Sequence, residues 1–234
     1  MRAAAVAMLL LASAGVLAAG PKPEPALPEL DLKYAVTWRG MGLGSATIVL
    51  KHHGDADCYR YASVTEPVGL VRMFYGRPRE VSDFCVRGGR VVPRRFEFED
   101  PKGDGSFTLE FDAAARKVRD VGGERELPPN AQDRFGLQQA VRLWVLEHLD
   151  SEPGAVTAEY AMVDDHRIRN YRFAITGRES VEVPAGKFDA VLVQRVDDKK
   201  KTVKFWLAPS RDYMPVKVEQ VRQGKTELRL ELRS

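Results

Sequence analysis

Two cysteines are the residues whose chemistry depends most on where this 234-residue chain is kept. Cys58 and Cys85 each lie in a strand-like segment, and an isolated cysteine pair in an oxidising compartment is most often a disulfide. Such a bridge would stabilise the fold by roughly 3 kcal/mol through loop-closure entropy. The other interpretation is a reactive thiol with His52 or His53 as its base, which needs a lowered thiol pKa that spacing alone does not supply.

A second group with chemical potential is Asp164-Asp165-His166, which follows Glu159 by a few residues. A carboxylate pair could serve a hydrolase as general acid and base, and histidine beside carboxylates could bind a metal. However, consecutive strand residues point to opposite faces and rarely chelate together. We therefore interpret this group and His52-His53 as turn or surface residues. The sequence predicts no catalytic residue, no metal site and no cofactor.

The common catalytic and nucleotide-binding motifs are absent from the sequence. It contains no Gly-x-Ser-x-Gly elbow, no His-Glu-x-x-His helix and no phosphate loop ending in Gly-Lys-Ser or Gly-Lys-Thr. The segment Gly40-Met41-Gly42-Leu43-Gly44 superficially resembles a nucleotide-binding turn. A strand-like segment follows it instead of a helix, so no helix N-terminus is available to hold a phosphate. It is predicted to be a hairpin connection or a β-bulge.

The N-terminus predicts the compartment. Arg2 precedes an uncharged apolar run from Ala3 to Ala19, which is typical of a secretory signal peptide. We expect cleavage after Gly20, with Ala18 or Ala19 as alternative cut sites. An uncleaved membrane anchor would need about 20 apolar residues and a stronger hydrophobicity than this Ala-rich run supplies. The chain is therefore predicted to be periplasmic, with no integral membrane segment after cleavage.

Three segments follow from this interpretation: residues 1–20 as signal peptide, 21–30 as a Pro-rich extended tether, and 31–234 as a single β-rich domain. The formal net charge of +3 falls by one when the signal peptide is removed, and acidic and basic residues are interleaved. A near-neutral exported chain is not expected to bind nucleic acid. One basic cluster is interpreted as the solvated side of a strand, the alternative being a patch for lipid headgroups or cell-wall anions: Arg87, Arg90, Arg94 and Arg95.

Alternating apolar and polar residues predict a sheet with one buried face and one solvent-exposed face. The clearest stretch is Thr226 to Arg233, in which every second residue is leucine. Short glycine-containing turns between the segments predict an up-and-down antiparallel order, and therefore a mainly β fold with a large curled sheet or open barrel. The predicted strands are 33–38, 45–51, 59–65, 80–86, 90–98, 106–111, 158–163, 170–183, 188–196, 202–207, 214–222 and 227–233.

One main helix is predicted between the sixth and seventh of these strands. Asn130-Ala131-Gln132-Asp133 supplies N-cap candidates, and Pro153-Gly154 marks the end. The apolar residues cover much of the helix circumference, so it should be buried against the concave face of the sheet: Leu137, Val141, Leu143, Trp144 and Leu146. A second segment, Val68 to Tyr75, is either a short helical turn that caps the sheet or a lid.

A large antiparallel sheet of this kind tends to curl, and its apolar concavity must be filled by side chains, helices or a ligand. The candidate cavity residues are Leu70, Met73, Phe74, Trp144 and Trp206. The other interpretation is a concavity that tryptophans and phenylalanines pack completely, because large apolar residues are usually inside for packing reasons alone.

The segments Pro184 to Phe188, Phe205 to Pro209 and Tyr213 to Val216 resemble the exported bacterial family catalogued as domain of unknown function 3108. The resemblance extends to Leu32-Lys33-Tyr34, to Gly44 and to Phe135 through Leu149. It implies a periplasmic, sheet-rich protein without an assigned activity or catalytic residues. A looser architectural similarity is to lipoprotein-localisation carriers, in which an open barrel holds acyl chains beneath helical lids.

These features favour a non-enzymatic periplasmic protein that binds or shuttles an apolar or amphiphilic cell-envelope molecule. Two alternatives remain at this point. One is a protein-interaction or envelope-assembly factor that uses a sheet edge or the tether from Pro21 to Pro28. The other is an envelope hydrolase using Asp164 or Asp165 with Glu159.

Overall fold

The computed structural model describes residues 27–69, 72, 76–103 and 105–234. Three of the candidate cavity residues, Leu70, Met73 and Phe74, lie outside the described residues, as do the predicted signal peptide and most of the tether. Leu27, within that tether, is buried, and its backbone N–H donates to the Tyr59 hydroxyl.

The described residues form strands joined in a single sheet. The strands are β1 (Leu30–Trp38), β2 (Met41–His52), β3 (Cys58–Pro67), β4 (Arg79–Arg87), β5 (Arg90–Glu99), β6 (Phe107–Asp112), β7 (Lys117–Asp120), β8 (Gly123–Glu126), β9 (Ala131–Gln132), β10 (Thr157–Asp164), β11 (Arg167–Val183), β12 (Gly186–Arg195), β13 (Lys201–Ala208), β14 (Met214–Arg222) and β15 (Lys225–Leu232). One α-helix, α1 (Arg134–Glu147), lies between β9 and β10, and a 3-10 helix, Pro209–Arg211, joins β13 to β14.

The order of the strands is a meander that starts and ends at the centre of the sheet. From one edge to the other it runs from β8 down to β1, then from β15 down to β9, so the first and last strands pair with each other. Every pairing is antiparallel except the short contact of β9 with β10. The predicted curled, mainly β architecture with up-and-down order is confirmed.

Every strand predicted from the alternation is present, while β7, β8 and β9 were missed. The reason is visible in β7 and β8, where Val118 is the only buried residue and the neighbouring positions carry charges. Such short polar strands form because they extend an existing sheet edge, and their own side chains give no periodic signal.

The prediction of one exposed face is wrong for β13, where Phe205, Trp206, Leu207 and Ala208 are all buried. Residues directly opposite on paired strands share a face. Phe205 lies opposite Val193, whereas Trp206 lies opposite Leu192 on the other face. Both faces of the sheet are therefore covered at this point.

Helix α1 is buried on two sides, as its composition predicted. On one side, Phe135 contacts the rings of Tyr61 and Phe96, with centroids 4.5 and 6.2 Å away. On another side, a cluster joins the helix to β11, β12 and β13: Leu137, Val141, Trp144, Val145, Phe173, Ile175, Val191, Val193, Phe205 and Leu207. The helix therefore fills the concave side of the sheet. It lies between two arms of that sheet, one formed by β1 to β8 and the other by β9 to β15.

The glycine-rich segment after β1 is a hairpin with a bulge, as predicted. Gly40 takes a φ of +84° in the turn, and the pairing of β1 with β2 shifts by one residue between Val36 and Thr37. At Gly44 a Cβ atom would lie 2.1 Å from the carbonyl oxygen of Glu66, so only glycine allows β2 and β3 to pair so closely.

Arg142 is the one charged residue of α1 that is fully buried among the described positions, with 2% of its surface exposed. Its Nε donates to the carbonyl oxygen of Asp212 at 2.8 Å, and its Nη1 donates to Gln139 at 3.1 Å. Burial lowers the pKa of Arg142 to about 10. The Tyr34 hydroxyl donates to the nearby Pro215 carbonyl at 2.7 Å, so two buried donors hold the β13–β14 connection against the core.

A buried carboxyl group caps the start of the helix. Asp133 is fully buried, and its Oδ1 accepts from the backbone N–H groups of Phe135 and Gly136, both at 2.9 Å. The Ser82 hydroxyl of β4 donates to Oδ2 at 2.8 Å, which ties the helix N-terminus to the sheet. Burial raises the pKa of Asp133 to about 6, although these hydrogen bonds oppose the shift.

Replacing Asp133 by Asn should remove a pH dependence of stability. Because the folded state holds the Asp133 proton more tightly than the unfolded state, the free energy of unfolding should fall as the pH rises from about 4 to about 6. The expected change is at most roughly 3 kcal/mol, and urea titrations across this range should show it in the wild type and not in Asp133→Asn. Asp150→Asn, at an exposed site beyond the helix, should keep the slope; an unchanged slope in Asp133→Asn would contradict the assignment.

The two cysteines form a disulfide, as their number and predicted compartment indicated. Cys58 and Cys85 lie directly opposite each other on β3 and β4, with an S–S distance of 2.02 Å. Both are buried. The bridge is therefore a cross-strand staple within the sheet.

Removing this staple should lower stability without changing the fold. We expect the double variant Cys58→Ala/Cys85→Ala to lose about 3 kcal/mol of unfolding free energy, because the unfolded chain regains the freedom of the closed loop. Guanidinium unfolding followed by circular dichroism measures this, and reduced wild-type protein provides the matched control. Equal midpoints for the oxidised wild type and the double variant would contradict the prediction.

Candidate functional site

The two edges of the rolled sheet approach each other without pairing strand to strand. At one point Gln132 of β9 donates through Nε2 to the carbonyl oxygen of Val91 in β5, at 2.9 Å. At another, Arg125 of β8 donates through Nη2 to the carbonyl oxygen of Asp165, at 2.6 Å, in the turn between β10 and β11. We call this line of approach the seam.

Arg134, the first residue of α1, bridges the seam with two ion pairs. Its guanidinium contacts Glu80 of β4 and lies 2.8 Å from Asp164 Oδ1 of β10. It also lies 5.5 to 5.8 Å from the ring centroids of Phe96, Phe98 and Phe107. Burial raises the pKa of Glu80, and the charge of Arg134 opposes that rise. The arrangement is a clamp between the two arms, and the Asp164 carboxylate is engaged in an ion pair with Arg134.

A groove lies along the seam beyond the clamp, with a volume of about 730 Å³. Its walls come from β5, the segment before β9, helix α1 and β10. The apolar surfaces are provided by Val92, Leu127, Pro128, Ala140 and Trp144. Trp144 is 9% exposed and is the only candidate cavity residue among the described positions that lines this groove.

Tyr160 is a polar group placed on the groove wall by β10. Its hydroxyl donates to the carbonyl oxygen of Ala140 at 3.1 Å, which joins β10 to the helix. Burial raises the pKa of Tyr160 to about 12; the negative charge of Glu147 adds to the rise, and the positive charge of Arg90 opposes it. The hydroxyl is therefore neutral at physiological pH and lies within the field of two groove charges.

Four charged side chains line the groove, and they divide into two kinds. Arg116 donates to the carbonyl oxygen of Leu127, and Glu159 lies 2.6 Å from Arg172, so both have partners. Arg90 and Glu147 line the groove without any opposite charge within 4.0 Å among the described residues. The groove thus presents one positive and one negative group that are not neutralised by the protein.

Trp206 lies away from the groove. Its Nε1 donates to Glu179 at 2.5 Å, and the ammonium group of Lys217 lies 4.5 Å from its ring centroid. Trp206 and Trp144 belong to different apolar clusters, and it is Phe205, on the opposite face of β13 from Trp206, that packs in the cluster with Trp144. Of the two described candidates, the structure therefore brings only Trp144 to the seam.

The carboxylates of the hydrolase hypothesis are not brought together. Glu159 and Asp164 differ by an odd number of positions along β10, so they point to opposite faces of the strand. Each is paired with a different arginine, Asp164 with Arg134 and Glu159 with Arg172. Asp165 and His166 form the following turn, where their side chains lie 3.3 Å apart.

A second grouping of potential ligands surrounds the disulfide. Asp57 lies beside Cys58 and Cys85, with its Oδ1 3.4 Å from the Cys58 sulfur. Both sulfurs are already bonded to each other, and the Asp57 carboxylate accepts from Arg87 at 3.0 Å. These atoms are therefore engaged in structural contacts. His52 likewise stacks on Tyr59, with ring centroids 4.6 Å apart.

Sequence reasoning did not identify the groove walls other than Trp144. Arg90 was interpreted as one of four arginines on the solvated side of a strand, with a patch for lipid headgroups or cell-wall anions as the alternative. Glu147 was an unremarked polar position of the helix. Two signals were available: the pair Pro128-Pro129 directly before β9, and the aromatic Tyr160 at the middle of a predicted strand. Neither could place β5 beside β10, because that contact depends on how the whole sheet rolls.

Comparison with known proteins now identifies the chain at the level of family. Residues 33–232 match the family described as Protein of unknown function (DUF3108). The chain belongs to this family. The match confirms the resemblance predicted from the hairpin at Pro184 to Phe188 and the strand end at Phe205 to Pro209, and the DUF3108 description assigns no activity.

Other comparisons add little to this DUF3108 membership. No curated protein matches the chain. A solved structure described as a "putative exported protein with YmcC-like fold" from Bacteroides fragilis aligns with 10% sequence identity and a TM-score of 0.34. The alignment covers 87% of this chain and 93% of that one. Within the described residues, no helix has the length and hydrophobicity required to cross a membrane.

Breaking the Arg134 clamp should destabilise this DUF3108 chain. In Arg134→Gln the Glu80 carboxylate would stay partly buried without a charge partner, so we expect a loss of about 2 kcal/mol of unfolding free energy. Adding Glu80→Gln removes the orphaned charge and should recover part of that loss. Chemical unfolding of both variants measures the effect; an additive loss in the double variant would show that the two residues are not coupled.

Proposed function

We propose that this chain is a non-enzymatic periplasmic binding protein that carries an amphiphilic cell-envelope molecule in the seam groove. The observation that carries the proposal is the groove itself, whose apolar walls around Trp144 adjoin charged side chains that the protein does not neutralise. Its volume of about 730 Å³ lies within the range of roughly 300 to 1,000 Å³ that small-molecule sites occupy.

The position of the groove differs from that of an internal barrel cavity. Helix α1 and its aromatic contacts occupy the concave side of the sheet, so the apolar part of a ligand would lie along the seam beside Trp144. A groove at the surface allows loading and release without opening the core. This suits a carrier that exchanges its ligand with membranes or other proteins.

Export is supported by two independent features of the chain. The charged Arg2 followed by an apolar run to Ala19 is typical of a secretory signal peptide. The Cys58–Cys85 disulfide is typical of proteins that fold in an oxidising compartment such as the bacterial periplasm. Together these features favour a location where envelope amphiphiles are present.

A groove ligand is favoured over recognition through a sheet edge. The edge strands are short: β8 has the sequence Gly-Glu-Arg-Glu, and β9 contains only Ala131 and Gln132. Short, charged edges are the usual protection against strand addition, because they offer few main-chain hydrogen bonds and repel an apolar partner strand. The Pro-rich tether from Pro21 stays an alternative contact for a protein partner.

The proposal is tested by native mass spectrometry of protein purified from the periplasm without detergent. We expect the wild type to carry a stoichiometric added mass that organic extraction identifies as an amphiphile. Val92→Trp, at a half-buried position on the groove wall, should lose this mass because the indole would fill the groove. Val121→Trp, at a position 89% exposed between β7 and β8, is the matched control and should retain it.

Two results would contradict the proposal. A wild-type chain that stays bare after incubation with envelope lipid extract would show that the groove holds no such molecule. Equal retention by Val92→Trp and the wild type would place the ligand elsewhere. In either case, affinity capture with and without residues 21–28 would then test for a protein partner.

A further inference from the structure

The unpaired charges of the groove carry information about the polar part of its ligand. Arg90 and Glu147 lie on adjoining walls, Arg90 at the start of β5 and Glu147 at the last position of α1. The Glu147 carboxylate reaches the turn that precedes β5, since its Oε1 lies 3.2 Å from where a Cβ on Gly89 would be. Both residues therefore line this end of the groove without forming an ion pair with each other.

This arrangement contrasts with that of the other arginines on and beside the groove. Arginines next to the groove are engaged, Arg116 with the Leu127 carbonyl and Arg172 with Glu159, and Arg95 pairs with both Glu97 and Glu110 on the outer surface. The Glu147 carboxylate lies against Gly89, the residue before Arg90, yet no oxygen of that carboxylate is within 4.0 Å of the Arg90 guanidinium. Opposite charges that line one groove without pairing with each other are available to contact two charges on a third group.

We infer that the groove selects amphiphiles with a zwitterionic headgroup, in which Arg90 binds an anionic oxygen and Glu147 binds an ammonium group. The inference rests on the proposed function, because the apolar part of the molecule is taken to lie beside Trp144. A purely anionic headgroup would satisfy Arg90 but would place its charge beside the Glu147 carboxylate. A zwitterion can contact both charges at once, and the neutral Tyr160 hydroxyl of the same groove can accept a further hydrogen bond.

Other charges of the groove do not change this assignment. Glu159 and Arg116 also line it, but each already has a partner. Glu159 pairs with Arg172. Arg116 donates to the Leu127 carbonyl oxygen and lies 3.9 Å from Glu126. Tyr160 keeps its proton at neutral pH, because its pKa is raised to about 12 mainly by burial. The headgroup therefore meets one available cation and one available anion.

Isothermal titration calorimetry of the full chain purified from the periplasm tests the inference. The probes are monomeric dihexanoyl phospholipids with an ethanolamine headgroup, which is zwitterionic, and with a glycerol headgroup, which is anionic. Phosphoethanolamine without acyl chains is a third probe, and it distinguishes headgroup binding from lipid binding. We expect the wild type to prefer the ethanolamine lipid by about fivefold, which is the size of one exposed charge contact.

Glu147→Gln is the decisive variant, since it keeps the shape of the side chain and removes its charge. This variant should bind the two lipids equally. Its affinity for the ethanolamine lipid should fall about fivefold, while its affinity for the glycerol lipid should stay unchanged or rise. Arg90→Gln should weaken both lipids. Glu182→Gln, an exposed site on β11 away from the groove, is the matched control and should keep the preference. Thermal melting confirms that each variant is folded.

The outcomes separate this inference from the function on which it rests. Equal affinity of the wild type for both lipids, or a preference that survives in Glu147→Gln, would overturn the zwitterion assignment and leave an amphiphile carrier in place. No binding of either lipid by the wild type would overturn both. If phosphoethanolamine binds as tightly as the ethanolamine lipid, the headgroup assignment is supported, and the proposed contact of the acyl chains with the groove is overturned.

Discussion

Helix α1 is apolar around most of its circumference, and the burial of those side chains governs the rest of the structure. A helix of this kind cannot rest on one face of a flat sheet, because its other side would remain in water. The sheet therefore rolls around it, with the rings of Tyr61 and Phe96 on one side and the cluster of Phe173 and Val193 on another. The rolled sheet has two edges that meet without pairing, and the groove exists because they do not pair.

Polar groups inside this apolar packing fix where the helix lies. Asp133 attaches its N-terminus to Ser82 of β4, Arg134 joins both arms through Glu80 and Asp164, and Arg142 holds the Asp212 carbonyl. Each group loses hydration when it is buried, which is why the pKa of Asp133 is raised and that of Arg142 is lowered. Apolar contacts alone would allow the helix to slide along the sheet, whereas these directional bonds specify one position.

The sheet could be predicted from sequence because its signal is local. Alternation and turn residues located the long strands, and the short connections predicted their up-and-down order. The disulfide was predicted from the number of cysteines and the expected compartment. The seam could not be predicted, since β7 to β9 are short and polar and depend on edges that exist only after rolling. Arg142 was missed for a related reason, because a charged residue on a helix is expected to face water unless its partners are known. Of the candidate site, Trp144 followed from sequence, Arg90 was named only in the alternative headgroup patch, and Glu147 was missed.

The pairing of β1 with β15 at the centre of the sheet has a consequence for how the chain reaches its structure. The hairpins of each arm can form from local contacts, but the two arms become one sheet only when the first strand meets the last. β15 is synthesised after all the other described strands, so the central ladder cannot form until both arms have been made. Contacts between such distant residues are slow to form, because most of the chain must close as a loop first. The central ladder therefore depends on the contact that is most distant along the chain, and it should join the two arms after the hairpins of each arm have formed.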